Sequence, residues 1–291
     1  MNLPRICVGV DGSSASQSAL RWAAAEAAAN NAELVVIHAY DWRVLGARAQ
    51  IGGAYADVAR SMATTLMETA VDQARALAPE VNVRGETVLG AAGPTLVTAS
   101  ETFDLTVLGS RGRGGFASLL LGSVTQHVAT HAAGPVAVVR GRPDVSDCPV
   151  IVGVDGSPAS DHAVRIAFEE AIARGVGVLA VRVYTPRNAG LGVNISVPVE
   201  DPVQRREEEM RHLADDIGPW REKYPDVLVR SVALDGHTGE VLIGLSSSAQ
   251  LVVVGTRGHG GFAGLLLGSV GQQLLHHADC PVLVARVSRT S

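Results

Sequence analysis

The chain carries one 18-residue segment twice, and this duplication limits its architecture more than any other feature. Val107–Val124 reads VLGSRGRGGFASLLLGSV, and Val253–Val270 reads VVGTRGHGGFAGLLLGSV. Fourteen of the 18 positions are identical; the exceptions are Leu108/Val254, Ser110/Thr256, Arg113/His259 and Ser118/Gly264. Both copies keep the spacing Gly, two residues, Gly, nine residues, Gly-Ser. These are Gly109, Gly112, Gly122 and Ser123 in the first copy, and Gly255, Gly258, Gly268 and Ser269 in the second. A glycine-rich loop that feeds a helix start is how a chain wraps backbone N–H groups around a phosphate. Two copies imply two sites, or one site and a degenerate relative.

The repeat extends over the whole chain. VGVDGS stands at Val8–Ser13 and again at Val152–Ser157, an offset of 144, whereas Gly109 and Gly255 are offset by 146. Two extra residues therefore lie in the second half between these anchors. Tyr40/Tyr184, Pro79/Pro225, Val83-Arg84/Val229-Arg230 and Gly93/Gly239 also recur. A period this long marks a duplicated domain and not a solenoid, whose units run about 20–50 residues. The expected division is 1–143 and 144–291, with the polar stretch Arg140–Cys148 (RGRPDVSDC) as linker. Each half is long enough to bury its own core.

Apolar residues make up 47% of the chain, yet no run approaches the ~18–20 that a membrane span needs. MNLPRICVGVDGS enters a strand pattern directly, without the regions of a signal peptide. Cys7, Cys148 and Cys280 lack metal-ligand spacing and occupy non-equivalent places in the halves, which points to reduced thiols and a cytoplasmic protein. The net charge of −5 and the dispersed arginines do not fit nucleic-acid binding as the main task.

In the first half, Ile6–Val10 reads as a strand, Asp11–Ser14 as a turn and Ala15–Ala29 as a helix capped by Ser13 or Ser14. A strand over Leu34–Ala39, a loop over Asp41–Ala54 and a helix over Tyr55–Ala78 follow. Val81–Val88 reads as a strand, Gly93–Thr102 as a helix and Asp104–Gly109 as a buried strand. Beyond the glycine loop come a helix over Leu119–Ala133 and a strand over Pro135–Arg140. The second half repeats this order, with a loop over Tyr184–Val203 and a helix over Gln204–Tyr224. On that helix Glu207→Arg211 and Glu208→His212 have the i,i+4 spacing of a solvated face. Strands alternating with helices imply a parallel sheet with helices on both faces. Ligands of such sheets bind beyond the carboxyl ends of the strands, where strand order reverses. Asp11 and Gly109 both lie at such ends and can share one crevice.

Gly112, Gly114 and Gly115 allow close backbone approach. Gly122-Ser123 falls at the start of the last helix, where free N–H groups and the positive end of the dipole point outward. An ionised Asp11 only accepts hydrogen bonds, so it suits a ribose hydroxyl, an adenine amino group or a metal; alternatively it caps the helix behind it. Arg111/Arg257 and Arg113/His259 either reach phosphates or are solvated. GxxxxGK[ST], HExxH and GxSxG are all absent. GRGGFA is a poor dinucleotide fingerprint, and it follows the fourth strand instead of the first. His127 and His131 have i,i+4 spacing, but their counterparts are Gln273 and His277, which favours surface histidines over a metal pair.

The strand ending in Asp11, the twice-repeated glycine spacing and the alternating unit resemble the universal stress protein family over nearly all 291 residues. The resemblance implies two tandem five-stranded parallel-sheet domains with helices on both faces, related to electron-transfer flavoprotein folds. It also implies ATP, with or without Mg, as ligand of this glycine motif. By position, Asp11 and Asp155 would contact the ribose, while Ala39, Leu108, Val183 and Val254 would line the adenine. Gly109, Gly112, Gly122, Ser123 and Val124 would hold the phosphates in the first half. Gly255, Gly258, Gly268, Ser269 and Val270 would do so in the second. Ser14 against Pro158, and Ala39 against Val183, imply unequal pockets. The last strands of such domains pair in relatives, which implies a homodimer or an intramolecular domain pair. The favoured reading is a nucleotide-dependent regulator in a stress response, with protein partners and without nucleic acid or membrane. The alternatives are a slow Mg-dependent ATPase or phosphotransferase, and a scaffold with empty sites.

Overall fold

The computed structural model describes residues 3–41, 53–113, 120–143, 145–185, 201–258 and 266–287, with side chains from 56 onward in the second span. It divides into two compact units: Met1–Pro143 together with the segment from Arg286, and Asp144–Ala285. The loops expected over Asp41–Ala54 and Tyr184–Val203 fall mainly on 42–52 and 186–200, outside the described residues, as do Gly114, Gly115 and His259.

In the first unit the apolar run RICVG forms β1 (Arg5–Gly9) and is buried from Ile6 onward. Gly12 makes the turn that follows at φ +80°, a left-handed conformation that a Cβ makes costly. Ser13 then caps α1 (Ser14–Ala29), its hydroxyl accepting the Ser16 N–H at 3.1 Å. Ala19, Ala23, Ala24 and Ala27 are fully buried along α1, and such short side chains let the helix lie close on the sheet. β2 (Glu33–Tyr40), α2 (Gly53–Leu77), β3 (Val83–Leu89), α3 (Ala92–Ala99), β4 (Leu105–Gly109), α4 (Ser123–His131) and β5 (Val136–Val139) complete the unit.

Every described strand pairing within the unit is parallel, and the order is β3-β2-β1-β4-β5. The chain moves outward from β1 to β3, then returns to build β4 and β5 on the other side. Right-handed crossovers therefore place α1 and α2 on one face and α3 and α4 on the other. α1 packs against α2, and α3 against α4. Val8, Leu34, Val35, Val36, Val107, Val136 and Val138 are all fully buried. Such unbroken apolar strands are expected of a sheet covered on both faces.

The second unit repeats the plan with β6 (Val150–Gly153), α5 (Pro158–Arg174), β7 (Val178–Tyr184), α6 (Pro202–Lys223) and β8 (Val229–Asp235). α7 (Thr238–Ser246), β9 (Leu251–Gly255), α8 (Ser269–His277) and β10 (Val282–Ala285) follow. Its order is β8-β7-β6-β9-β10, again parallel. No helix among the described residues is long and apolar enough to cross a membrane.

Two details differ from the sequence expectation. The last helix of the first unit starts at Ser123 and not at Leu119, because Gly122 is extended (φ −76°, ψ 147°) and serves as its N-cap. On α6 the ion pairs converge on Glu209, which the i,i+4 pattern did not single out. Glu209 Oε2 lies 2.6 Å from Arg182 Nε, and its Oε1 lies 2.6 Å from Arg205 Nη2.

Cys7 is fully buried on β1 beside the Thr106 hydroxyl, and burial pushes its thiol up to about 12. Cys280 is buried too, whereas Cys148 is partly exposed. Iodoacetamide at pH 8 is therefore expected to alkylate the native protein at Cys148 alone and the urea-unfolded protein at all three cysteines. Mass spectrometry of the tryptic peptides checks this, and rapid native labelling of Cys7 would contradict it.

Candidate nucleotide site in each unit

Strand order reverses between β1 and β4 in the first unit, and between β6 and β9 in the second. Each reversal opens a cavity at the carboxyl ends of the strands, of about 400 Å³ in the first unit and 360 Å³ in the second. Both are within the usual range for small-molecule sites, about 300–1,000 Å³. Asp11, Ala39, Leu108, Gly109, Gly112, Gly122, Ser123 and Val124 all line the first. Asp155, Val183, Val254, Gly255, Gly258, Gly268, Ser269 and Val270 all line the second. Sequence reasoning missed the floor and far wall. Gly9, Ser16 and Ala92 contribute to the first cavity, and Gly153, Ser160 and Thr238 to the second. The duplicated VGVDGS segment and the matched Gly93/Gly239 were the signals that could have found them.

The two ends of the crevice are tied together by Asp11. Its Oδ1 accepts the Ser13 N–H at 3.0 Å, and its Oδ2 accepts the Arg113 N–H at 2.7 Å. Helix capping falls to Ser13, so Asp11 is the clasp between the β1 turn and the glycine loop. Burial alone would push its carboxyl up, but the hydrogen bonds from Ser13, Arg113 and Ser16 prevail and hold it below the usual carboxylate range. It is ionised at neutral pH and keeps free lone pairs for a donor such as a sugar hydroxyl. In the second unit Asp155 Oδ1 accepts from the Ser157 N–H at 3.0 Å and the Ser157 hydroxyl at 2.6 Å.

The spaced glycines have separate physical reasons. A Cβ on Gly109 would lie 2.5 Å from the Ala15 carbonyl oxygen and 2.9 Å from the Ser16 nitrogen, so β4 ends directly against the first turn of α1. Gly255 meets Ala159 in the same way, at 2.7 Å. A Cβ on Gly112 would lie 2.5 Å from Asp11 Oδ2, and one on Gly258 would collide with Asp155 Oδ2. The loop is closed at its base where the Gly122 N–H donates to the Ser110 carbonyl at 2.8 Å; Gly268 and Thr256 repeat the bond at 2.7 Å. Being glycines, Gly122 and Gly268 offer no side-chain cap to α4 and α8. Among the described residues no side chain caps the first-turn N–H groups of either helix, whereas in α1 Ser13 takes up the Ser16 N–H. The Thr125 hydroxyl donates to the Gly109 carbonyl at 2.7 Å and fixes α4 against β4; its counterpart is Gly271.

These residues fit an adenine nucleotide. Apolar walls at Ala39 and Leu108, or Val183 and Val254, suit a base, a carboxylate suits the ribose, and an uncapped helix start beside a glycine cradle suits the phosphates. Among the described residues no three His, Cys, Asp or Glu side chains come together as a metal group. His127 and His131 have their rings 4.5 Å apart, with His131 Nδ1 2.9 Å from the His127 carbonyl oxygen. His127 also packs on Gly93, where a Cβ would lie 2.9 Å from the ring.

The model of the Universal stress protein family matches residues 2–140 and again 149–286. Universal stress protein Rv2005c of Mycobacterium tuberculosis is 37% identical over 301 residues, which span 99% of this chain and 100% of the relative. Universal stress protein Rv2623 of the same organism is 36% identical over 98% of this chain and 97% of its own length. A solved universal stress protein from Archaeoglobus fulgidus covers 99% of this chain and 97% of its own, with a TM-score of 0.69. At 17% identity that likeness shows the fold. With both halves matched separately and full-length relatives above one third identity, the chain belongs to the universal stress protein family as two tandem copies of its domain.

Proposed function

We propose that the chain is a nucleotide-dependent regulator that holds one ATP in each domain and acts in a stress response through the bound nucleotide, not through turnover. The observation that carries this reading is a convergence that occurs twice. At each reversal of strand order an ionisable carboxylate, a glycine cradle and an uncapped helix start face one cavity of nucleotide size. In the first domain the base would lie against Ala39 and Leu108, the ribose on Asp11, and the phosphates over Gly112, Gly122, Ser123 and Val124. In the second, Val183, Val254, Asp155, Gly258, Gly268, Ser269 and Val270 would take those parts, with Gly109 and Gly255 setting how closely the floor approaches.

Binding is favoured over hydrolysis by the shortage of a general base. Among the described residues lining the two cavities Asp11 and Asp155 are the only carboxylates, and both Asp11 oxygens already accept backbone N–H groups. A bound Mg would be held mainly by the phosphates and by water, since these sites add a single carboxylate each. The test is to release and quantify nucleotide from freshly purified protein by mass spectrometry, followed by calorimetric titration with ATP and Mg. Two adenine nucleotides per chain, mostly ATP, are expected. No released nucleotide together with no heat on titration would overturn the reading. ADP in place of ATP, with phosphate release, would move it to the ATPase.

A further inference from the structure

The first domain has a second cleft, of about 530 Å³, on the other face of the sheet from α3 and α4. It lies between α1 and α2. Its walls are Leu20, Ala59, Ala63, Leu66 and Ala70, and its rim carries Gln17, His38, Gln73 and Arg113. The Nδ1 of His38 is held by the Val10 carbonyl at 2.7 Å, which fixes the ring and leaves Nε2 as the nitrogen able to meet a ligand.

The second domain fills the same place with its own side chains. His38 pairs with Thr87 across β2 and β3, and Arg182 pairs with Ala233 across β7 and β8, so the two are structural equivalents. Along the long helix the offset of 146 matches Ala59, Ala63 and Ala70 with Arg205, Glu209 and Asp216. These four residues form one ionic cluster. Arg182 contacts Glu209 at 2.6 Å and Asp216 at 2.9 Å, and Arg205 contacts Glu209 at 2.6 Å. The turn glycines report the same exchange. A Cβ on Gly156 would meet Asp216 and, at 3.8 Å, Arg182 Nη1; one on Gly12 would meet Leu66 and, at 3.8 Å, Arg113 Nη1. The guanidinium beside the turn comes from β7 in one domain and from the glycine loop in the other. Three long side chains of α6 have alanines as counterparts in α2, and space remains where the cluster would stand.

We propose that this cleft is a second small-molecule site, specific to the first domain and adjoining the nucleotide cavity, with which it shares Val10, Ser16 and Arg113. Its ligand is a small, mainly apolar molecule with one hydrogen-bonding end. The apolar body would rest among the alanines and leucines, and the polar end would meet His38 Nε2 and the two glutamines. Arg113 and Asp41 put both signs of charge on the rim, which matches an uncharged ligand better than an ion. Alanines on a buried helix face ordinarily permit close helix packing; here no described side chain fills the space beside them, which is what distinguishes a site from tight packing.

The test uses the uncharged fluorescent probe N-phenylnaphthylamine on the full chain, with and without saturating ATP. Two variants accompany it: the triple His38→Arg, Ala63→Glu, Ala70→Asp, which carries the side chains that already coexist in the second domain, and the single Ala70→Leu. Cooperative thermal unfolding confirms that each is folded. One probe per chain is expected, retained at saturating ATP and bound at least tenfold more weakly by both variants. Absence of uptake by the wild type, displacement by ATP, or uptake by either variant as strong as that of the wild type would each overturn the inference. Uptake that appears only after residues 43–51 are replaced by a glycine–serine linker would assign the space to the chain itself, and would also overturn it.

Discussion

Gly112→Ala is expected to weaken ATP binding in the first domain ten- to a hundredfold and leave the second domain unchanged, so that calorimetry counts one site where the wild type shows two. The new methyl would sit 2.5 Å from Asp11 Oδ2, inside any allowed contact. Either the Asp11 carboxylate swings away or the loop lifts off it. In both cases the 2.7 Å bond from the Arg113 N–H is lost and the carboxylate leaves the position proposed for the ribose. A hydrogen bond to a charged group contributes about 1.5–3 kcal/mol, which is one to two decades in affinity. Gly258→Ala is expected to silence the second site in the same way, because its Cβ meets Asp155 Oδ2. Gly109→Ala separates binding from folding. Its methyl would press on the Ala15 carbonyl, which belongs to the backbone of α1 and cannot rotate aside, so it should lower stability by about 1–3 kcal/mol, as overpacking does. Wild-type affinity at both sites in Gly112→Ala would sink the clasp.

Those two glycines show what kind of information a sequence holds. The spacing from Gly109 to Gly122-Ser123 was legible because backbone geometry admits few other residues, and because it occurs twice. Strand and helix order was legible because runs such as Leu34–Ile37 and the alanines of α1 have the compositions of a covered sheet and of a close-lying helix. That Gly109 faces a helix backbone while Gly112 faces a carboxylate was not legible, since both contacts join residues far apart in the chain. The second cleft was hidden for a similar reason. Ala59, Ala63 and Ala70 read as ordinary helix formers, and their significance lies in Arg205, Glu209 and Asp216 standing at the same places in the other half. The i,i+4 spacing of Arg205 and Glu209 was as legible as those of Glu207 and Glu208, but a rule that sees one helix at a time cannot rank Glu209 above them. Glu209 takes its partner Arg182 from β7, 27 residues earlier, and only the sheet brings them together.

The ionic cluster that fills this place in the second domain gives the largest expected loss of stability. Arg182→Met should destabilise that domain by about 3–5 kcal/mol at pH 7, because two hydrogen bonds between charged groups, to Glu209 and to Asp216, are lost at about 1.5–3 kcal/mol each while Glu209 keeps only Arg205. The Glu209 and Arg182 side chains are only 7% and 16% exposed, so water does little to replace the lost guanidinium. Asp216 loses its 2.9 Å partner in the same step. The effect should depend on pH with a definite sign. Burial would push the Glu209 carboxyl up, but the hydrogen bond and charge of Arg182 and the charge of Arg205 prevail and hold it below the ordinary glutamate value. A carboxyl whose folded value is lowered contributes fully above its unfolded value, near pH 4.3, and loses that contribution as the pH falls through the folded value. The gap between wild type and Arg182→Met should therefore be widest at neutral pH and shrink on acidification below about pH 4. Hydrogen exchange on peptides of β7 and α6 reads this domain without interference from the first. A gap that stays constant from pH 7 to pH 3 would mean that Arg182 acts through the packing of its methylene stem and not through Glu209. Substituting the whole set, Arg182→His with Arg205→Ala, Glu209→Ala and Asp216→Ala, removes both signs of charge together, so no member of the cluster is left without its partner. Its cost should then be set by the space opened and not by stranded charge, and the emptied place should begin to take up the apolar probe that the first domain binds.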